Sequence, residues 1–290
     1  MQNFKKSIGE KIFGVSNYTF LILLSIITIY PFYYVLCASL SDSYAVLAKG
    51  GLMLYPVGFN VGAYALVFLN NNIVVGYANT LFYVFAGVSL NIILTMFAAY
   101  CLSRRTMPFK RFFMLMITFT MYFSGGLIPN YLLVKSLGLL NSRLALILPG
   151  AVATWNVIIL RTYMLSIPNS MEEAARIDSA NDLNILFRII APISIPAIAV
   201  NILFYAVGHW NSWFPAMIYL QDKNKFPLQL FLRQILIQAD VSDMADYATE
   251  PIAENIKYAT IIVSIIPILF VFPFLQRFFV TGMMVGAIKE

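Results

Sequence analysis

An all-α, polytopic membrane protein of six transmembrane helices is the fold this sequence predicts, and three observations predict it. Of the 290 residues, 60% are hydrophobic and only 11% are charged, against roughly 25% charged in an ordinary soluble domain, so the excess apolar surface calls for lipid. The apolar residues gather into runs of the length a bilayer core requires, about 20 residues each, and six such runs can be read. The basic residues are shared unevenly between the segments that join the runs.

The first run spans about 18–40, behind a short segment carrying Lys5, Lys6 and Lys11. It has no small-residue cleavage site, so it is expected to stay as an anchor. No formal charge occurs from Gly50 to Ser103, yet Pro56, Gly58 and Asn70-Asn71-Asn72 interrupt the first half and place the second span near 74–102. The remaining spans are expected near 112–134, 144–165, 189–220 and 258–276, within one transmembrane domain covering 1–290.

With the N-terminus inside the cell, the cytoplasmic segments hold Lys5, Lys6, Lys11, Arg104, Arg105, Lys110, Arg111, Arg161, Arg176, Arg188, Arg277 and Lys289. The opposite face has the shorter set Lys49, Lys135, Arg143, Lys223, Lys225, Arg233 and Lys257. Both termini are therefore predicted to be cytoplasmic. This arrangement gives a cytoplasmic loop at 166–188 and an external loop at 221–257, the latter with an amphipathic helix around Leu228–Ile237 and several carboxylates, from Asp222 to Glu254.

The cytoplasmic loop carries a local helix signal. Ser170 followed three residues later by Glu173 has the spacing of a capping box. Glu172 and Arg176 are four apart and are expected to pair, while Ala174 and Ala175 leave a low surface that another protein can approach closely. Asp178-Ser179-Ala180-Asn181 reads as a turn, and a second helical piece, Asp182 to Ile190, runs through Pro192 and Pro196 into the fifth span. Force on this loop would reach a membrane helix.

Glu172-Glu173-Ala174-Ala175-Arg176-Ile177-Asp178-Ser179-Ala180, then Phe187, Ile190, Pro192 and Pro196, resembles the EAA loop of ATP-binding-cassette (ABC) importer permeases. The likeness extends to Tyr55-Pro56-Val57-Gly58-Phe59, Gly76-Tyr77-Ala78-Asn79-Thr80, Phe123-Ser124-Gly125-Gly126, Trp210-Asn211-Ser212-Trp213 and the tail Gly286-Ala287-Ile288-Lys289. These look like the carbohydrate branch of the family, in particular the smaller, maltose-type permease of the complex-oligosaccharide subgroup. The resemblance implies a type I importer fold and a bacterial plasma membrane location. It implies import of a saccharide by alternating access, with a second, non-identical permease, two cytoplasmic ATPase subunits that hold ATP and Mg, and an external solute-binding protein. It further implies that Glu172, Glu173, Ala174, Ala175, Asp178 and Ser179 form the ATPase-coupling element. The family usually has Gly at the position of Ser179 and often Leu at that of Ala191, so the local turn is expected to differ here.

Polar groups inside spans are expensive and usually face protein or a wet path. Asn79, Asn156, His209, Trp210, Asn211 and Trp213 are the candidates for contact with a solute, since aromatic faces cover a pyranose while amides and imidazole bond its hydroxyls. Trp also gathers at membrane interfaces whatever the function, and amides within spans also bond helix to helix. Ser124-Gly125-Gly126 with Pro129 suits close packing or a broken helix.

No GxxxxGK[ST] loop is present, so hydrolysis is assigned to partner subunits and no cofactor to this chain. Cys37 and Cys101 lack ligand spacing, and no metal site is expected. The single histidine has no carboxylate or Cys nearby in sequence, which argues against a membrane-embedded enzyme, and the spans lack the ionisable coupling residues of a secondary transporter. The +6 charge lies between apolar runs rather than on a soluble face, so nucleic acid is not an expected partner. Within the importer reading, amino-acid, peptide or phosphate cargo stays open.

Overall fold

The computed structural model describes residues 7–49, 51–245, 255–270 and 273. Helices and irregular segments account for them, with no strand among the described residues. The chain divides into two compact units, Met1–Leu69 with Ile235–Ile265, and Asn70–Gln234 with Ile266–Glu290.

In the first unit, α1 (Ile8–Ser39) begins ten residues before the expected span. A local signal not read in the sequence starts it: Ser7 Oγ accepts the Glu10 amide at 3.2 Å while Glu10 Oε2 accepts the Ser7 amide at 2.8 Å, a complete capping box. Only Cys37, Ala38 and Ser39 of α1 are buried, so most of its apolar surface is open. After α2 (Ser43–Lys49) and α3 (Gly62–Leu69), the unit closes on a small core of Cys37, Ala38, Val46 and Met53. Helix α14 (Asn255–Phe270) joins it where Asn255 Nδ2 donates to Ser41 O at 2.6 Å and Tyr258 meets Tyr34 edge-on.

The second unit is organised on α4 (Asn71–Ser103), N-capped by Asn70, whose side chain accepts from the Asn72 amide. At 33 residues it is about 50 Å long, more than a bilayer core is thick. The expected 74–102 lies within it. The expected 112–134 is instead two helices, α5 (Lys110–Tyr122) and α6 (Leu127–Ser136), bent by 113°. Gly126 at φ +85° takes the chain where a β-carbon is unfavourable. Of 144–165, only α7 (Thr154–Leu165) is α-helical, behind a 3₁₀ turn at Arg143–Leu146. Pro149 and Gly150 stand in the gap and bar a continuous helix.

Next come α8 (Asn169–Ile177), α9 (Asp182–Asn184), a π-helical turn at Ile185–Ile190, and α10 (Ala191–Ile193). The expected 189–220 resolves into part of this segment, then α11 (Ile195–Trp210) and α12 (Trp213–Tyr219). Asp182–Ile193 and α11 meet at 85° across Ser194. Finally α13 (Leu228–Ala245) contains the expected amphipathic stretch.

Among the described residues, α1 and α4 are each long and apolar enough to cross a membrane, and the bent pairs α5–α6 and Asp182–Ile193 with α11 pass the same test jointly. Two apolar cores serve the second unit. One gathers Met96, Ala99, Tyr100, Leu160, Met164, Ile185, Leu186 and Ile190 around the C-terminal end of α4. The other gathers Tyr83, Ala145, Leu146, Ala216, Tyr219, Phe226, Leu230 and Phe231 around its N-terminal half. The tail from Arg277 through Gly286 and Lys289 lies outside the described residues, as do Lys5, Lys6 and Asp246 to Glu254.

Candidate coupling site

Helix α8 starts differently from its sequence signal. Pro168 (φ −59°, ψ 133°) occupies the N-cap position and no side chain caps the helix. Its ring cannot donate and its extended ψ sets the boundary, so Asn169 is the first helical residue and Ser170 lies already inside. The Ser170–Glu173 capping box is therefore not formed, and Glu173 is left exposed.

The other end is a full Schellman closure. The Ala180 amide donates to Ala175 O and the Ser179 amide to Arg176 O, both at 3.0 Å, with Ser179 left-handed at φ +57°. The turn keeps the glycine-type geometry, against the expectation that a serine would change it. Ala180 packs beside Ala175 on the same apolar core, the contact that accompanies this motif.

The two alanines part company. Ala175 is buried, whereas Ala174 is exposed with Met171, Glu173, Asp178 and Ile177, the last 83% exposed. One residue is about 100° of helix rotation, so the pair cannot share one surface, and the approachable face consists of Ala174 and its exposed neighbours.

Glu172 turns inward and holds the helix in place. It pairs with Arg104, at the end of α4, and with Arg176 at 3.0 Å, while Arg176 also reaches Asp182 at 2.7 Å. The Glu172 hydrogen bond, with the Asp182 charge beside it, holds the Arg176 guanidinium above its ordinary pKa. Arg104 lies over the Tyr100 ring at 4.6 Å. Lys110 Nζ donates to Ser103 O and Arg104 O at 3.2 and 3.3 Å, and Arg161 Nε to Leu102 O at 3.0 Å. The free carbonyls at the α4 C-terminus thus meet cations, as the helix dipole favours. A cavity of about 340 Å³ lies beside this cluster, lined by Tyr100, Cys101, Arg104, Thr106, Arg176 and Asp182 among others.

Beyond α9 the π turn, in which the Ala191 amide donates to Leu186 O, leads into Pro192. Pro192 has no amide and its ring would crowd the carbonyl four residues back; a widened turn relieves both. Ile185, Leu186 and Ile190 pack on the α8 core, so the route from α8 to α11 is continuous packed chain.

The solute-contact candidates fare unequally. Asn79 is buried, and both its donors are committed: Nδ2 donates to Asn224 O and Phe226 O, and Oδ1 accepts from Arg143 at 2.9 Å. It staples α4 to the 223–226 turn. Asn156 is buried on α7. His209 is buried, within 3.3 Å of Asn91 Nδ2, and faces Gly87, where a β-carbon would lie 2.3 Å from its Nε2. Trp210 is 7% exposed and meets Tyr77 edge-on at 6.4 Å. Asn211 is exposed but bonds Val207 O of its own helix. Trp213 is 36% exposed, with the Arg233 guanidinium 4.7 Å above its ring.

Several contributors went unread in the sequence. Thr95 and Tyr205 bond at 2.6 Å, and Tyr205 Oη also accepts the Ala153 amide at 3.0 Å. The residues on α11 are four apart (Asn201, Tyr205, His209), as are Asn91 and Thr95 on α4, so the i, i+4 pattern was the available signal. Arg104 and Arg233 carried no local signal for their roles; their partners lie 68 and 20 residues away.

Comparison with known proteins accords with this geometry. A model of the binding-protein-dependent transport system inner membrane component family matches residues 91–285. The polygalacturonan/rhamnogalacturonan transport system permease protein YtcP of Bacillus subtilis is 41% identical over 97% of this chain and 99% of the relative. The arabinooligosaccharides transport system permease protein AraQ of the same organism is 25% identical over 96% of each. Among solved structures, a bacterial ABC transporter involved in the import of the acidic polysaccharide alginate superposes with a TM-score of 0.86 at 34% identity, covering 96% of this chain and 100% of that one. The chain belongs to the family of inner membrane components of binding-protein-dependent transport systems.

Proposed function

We propose that this chain is one permease of an ABC importer that carries a uronic-acid-containing oligosaccharide into a bacterial cell. Its place is the plasma membrane, with six spans and both termini cytoplasmic. Its partners are a second, non-identical permease, two ATPase subunits that hold ATP and Mg, and an external solute-binding protein. The cargo class follows the polygalacturonan/rhamnogalacturonan and alginate systems named for its relatives.

The observation that carries the coupling reading is the two-sidedness of α8. Ala174 and Ile177 are exposed, while Glu172 and Ala175 fix the helix to α4 and the core beneath. An exposed apolar face on an otherwise anchored short helix suits a protein partner. Closure of the ATPases on ATP would push α8, and the ion pair and packed core would pass the displacement to α4 and, through the π turn, to α11. The Asn91–His209 and Thr95–Tyr205 bonds keep those two helices in register, and the angle at Ser194 is the place for the motion to be taken up. The path would open outward with ATP bound and inward after hydrolysis.

The test is ATP hydrolysis by the complex purified on this chain, with and without loaded binding protein, comparing wild type with Ala174→Trp. Stimulation in wild type, and loss of both stimulation and bound ATPase in the variant, is the expected result. Failure of any ATPase to co-purify with a folded chain and its partner permease would overturn the reading.

A further inference from the structure

Acidic side chains in the second unit are unevenly placed. Glu172, Glu173, Asp178 and Asp182 all belong to α8 and α9 or the turn joining them. Around the other core, which contains Val134, Ala145, Tyr219, Phe226 and Phe231, stand Lys135, Arg143, Lys223, Lys225 and Arg233, with Asp222 the one carboxylate among the described residues of that region. Asp222 is itself occupied: it accepts the Asn224 amide at 3.0 Å and pairs with Lys225 at 3.5 Å. The Asn224 amide, then Lys225, hold its carboxyl below the usual range. On the topology proposed above these cations face outward, on the side to which the external loop also brings Asp240 and Asp243.

Two of these cations have work to do. Arg143 bonds Asn79 and covers the Phe82 ring, and Lys225 bonds Asn141 O at 2.8 Å. Arg233 does not fit that description. It interrupts the apolar run Leu228, Leu230, Phe231 and Leu232, all buried, and has no carboxylate partner among the described residues. Its contacts there are the Trp213 ring at 4.7 Å and the Met217 thioether at 3.0 Å. A thioether is a weak acceptor, so most of the guanidinium's donors are unused. Arg233 is partly exposed, in the segment read as an external loop, so its remaining donors face water and are open to an anion.

We propose that Arg233 and Trp213 form a uronic-acid subsite on this chain, Arg233 receiving the sugar carboxylate and the exposed indole of Trp213 covering the apolar face of the pyranose. The inference rests on the importer reading above and deepens its cargo. A guanidinium meets a carboxylate with two parallel N–H···O bonds, which an ammonium cannot reproduce. The indole beneath holds the guanidinium plane while its open surface offers an apolar platform. Of the aromatic cluster at 210–213, Trp213 alone has both the exposure and the cation; Trp210 is enclosed.

The experiment is uptake into proteoliposomes holding the complete transporter with its binding protein, using trigalacturonate and its methyl ester, which keeps the rings and removes the charge. Arg233→Gln is expected to lower the ratio of acid to ester uptake by about tenfold relative to wild type, the scale of one charged hydrogen-bonding partner. Arg233→Lys should fall between the two, and Trp213→Ala should lower uptake of both sugars. An unchanged ratio overturns the subsite, including the case where both sugars fall together in Arg233→Gln because the arginine binds a lipid phosphate or the binding protein. If wild type imports neutral oligosaccharides but not trigalacturonate, the acidic-cargo reading falls and the subsite with it. If wild type imports trigalacturonate and the ratio holds, only the subsite falls.

Discussion

Ser179 occupies a left-handed backbone position, φ +57°, at the end of α8, where the chain must turn for two Schellman bonds to close. A left-handed conformation costs a non-glycine residue about 1–2 kcal/mol, while glycine loses about 0.5–1 kcal/mol more chain entropy on folding. The difference favours glycine. Ser179→Gly is expected to stabilise the chain by about 0.5–1 kcal/mol, seen as a higher midpoint in thermal unfolding of the detergent-solubilised complex. A β-branched residue such as valine should lower it. The Glu172 side chain shows the opposite case of a residue whose role the sequence hides. Its i, i+4 pairing with Arg176 was legible from spacing, and the structure contains it. Its contact with Arg104, which ties α8 to α4, joins residues 68 apart and no local rule reports it.

At the level of elements, α4 and α11 are held face to face because Gly87 is a glycine. A β-carbon there would sit 2.3 Å from His209 Nε2 and 2.6 Å from Cε1, well inside any permitted contact. The ring is fixed between that glycine and Asn91, so it has little freedom to withdraw. Gly87→Ala should therefore destabilise by about 1–3 kcal/mol, the usual range for overpacking. In Gly87→Ala/His209→Ala the loss should be smaller than the sum of the two single losses, because the clash goes with the ring. Thermal unfolding of the three variants measures both. The same helices show what patterning reveals and what it conceals. Asn70 and the uninterrupted apolar run placed α4 closely, since hydropathy and a cap both act locally. The segments at 112–134 and 144–165 read as spans because their composition is apolar, although Ser124-Gly125-Gly126 with Pro129 already suits a broken helix in the first. Their course is set instead by Gly126 and Pro149, and glycine and proline change direction without changing hydropathy. Likewise the Ser170–Glu173 spacing is a valid start signal that Pro168 pre-empts. The candidate aromatic cluster was legible as a cluster; which of its members face outward depends on Tyr77 and Arg233, from elsewhere in the chain.

For the whole molecule, the proposed topology rests on the distribution of cations, and a native cysteine tests it. Cys101 is exposed at the C-terminal end of α4 and lines the cavity shared with Phe97, Arg104, Arg176, Asp182 and Leu186. Cys37 is buried in the core of the first unit, so it serves as an internal control. An exposed thiol is open to a maleimide, whereas an enclosed thiol is inert. The proposed topology puts Cys101 inside the cell with α8 and the Arg104–Glu172 pair. A membrane-impermeant maleimide should leave intact cells unlabelled at this chain and label it once they are permeabilised, with the signal lost in Cys101→Ser and kept in Cys37→Ser. Labelling of Cys101 in intact cells would place α8 outside, beyond the reach of a cytoplasmic ATPase. That result would also turn Arg233 and Trp213 inward, away from a sugar arriving on the binding protein.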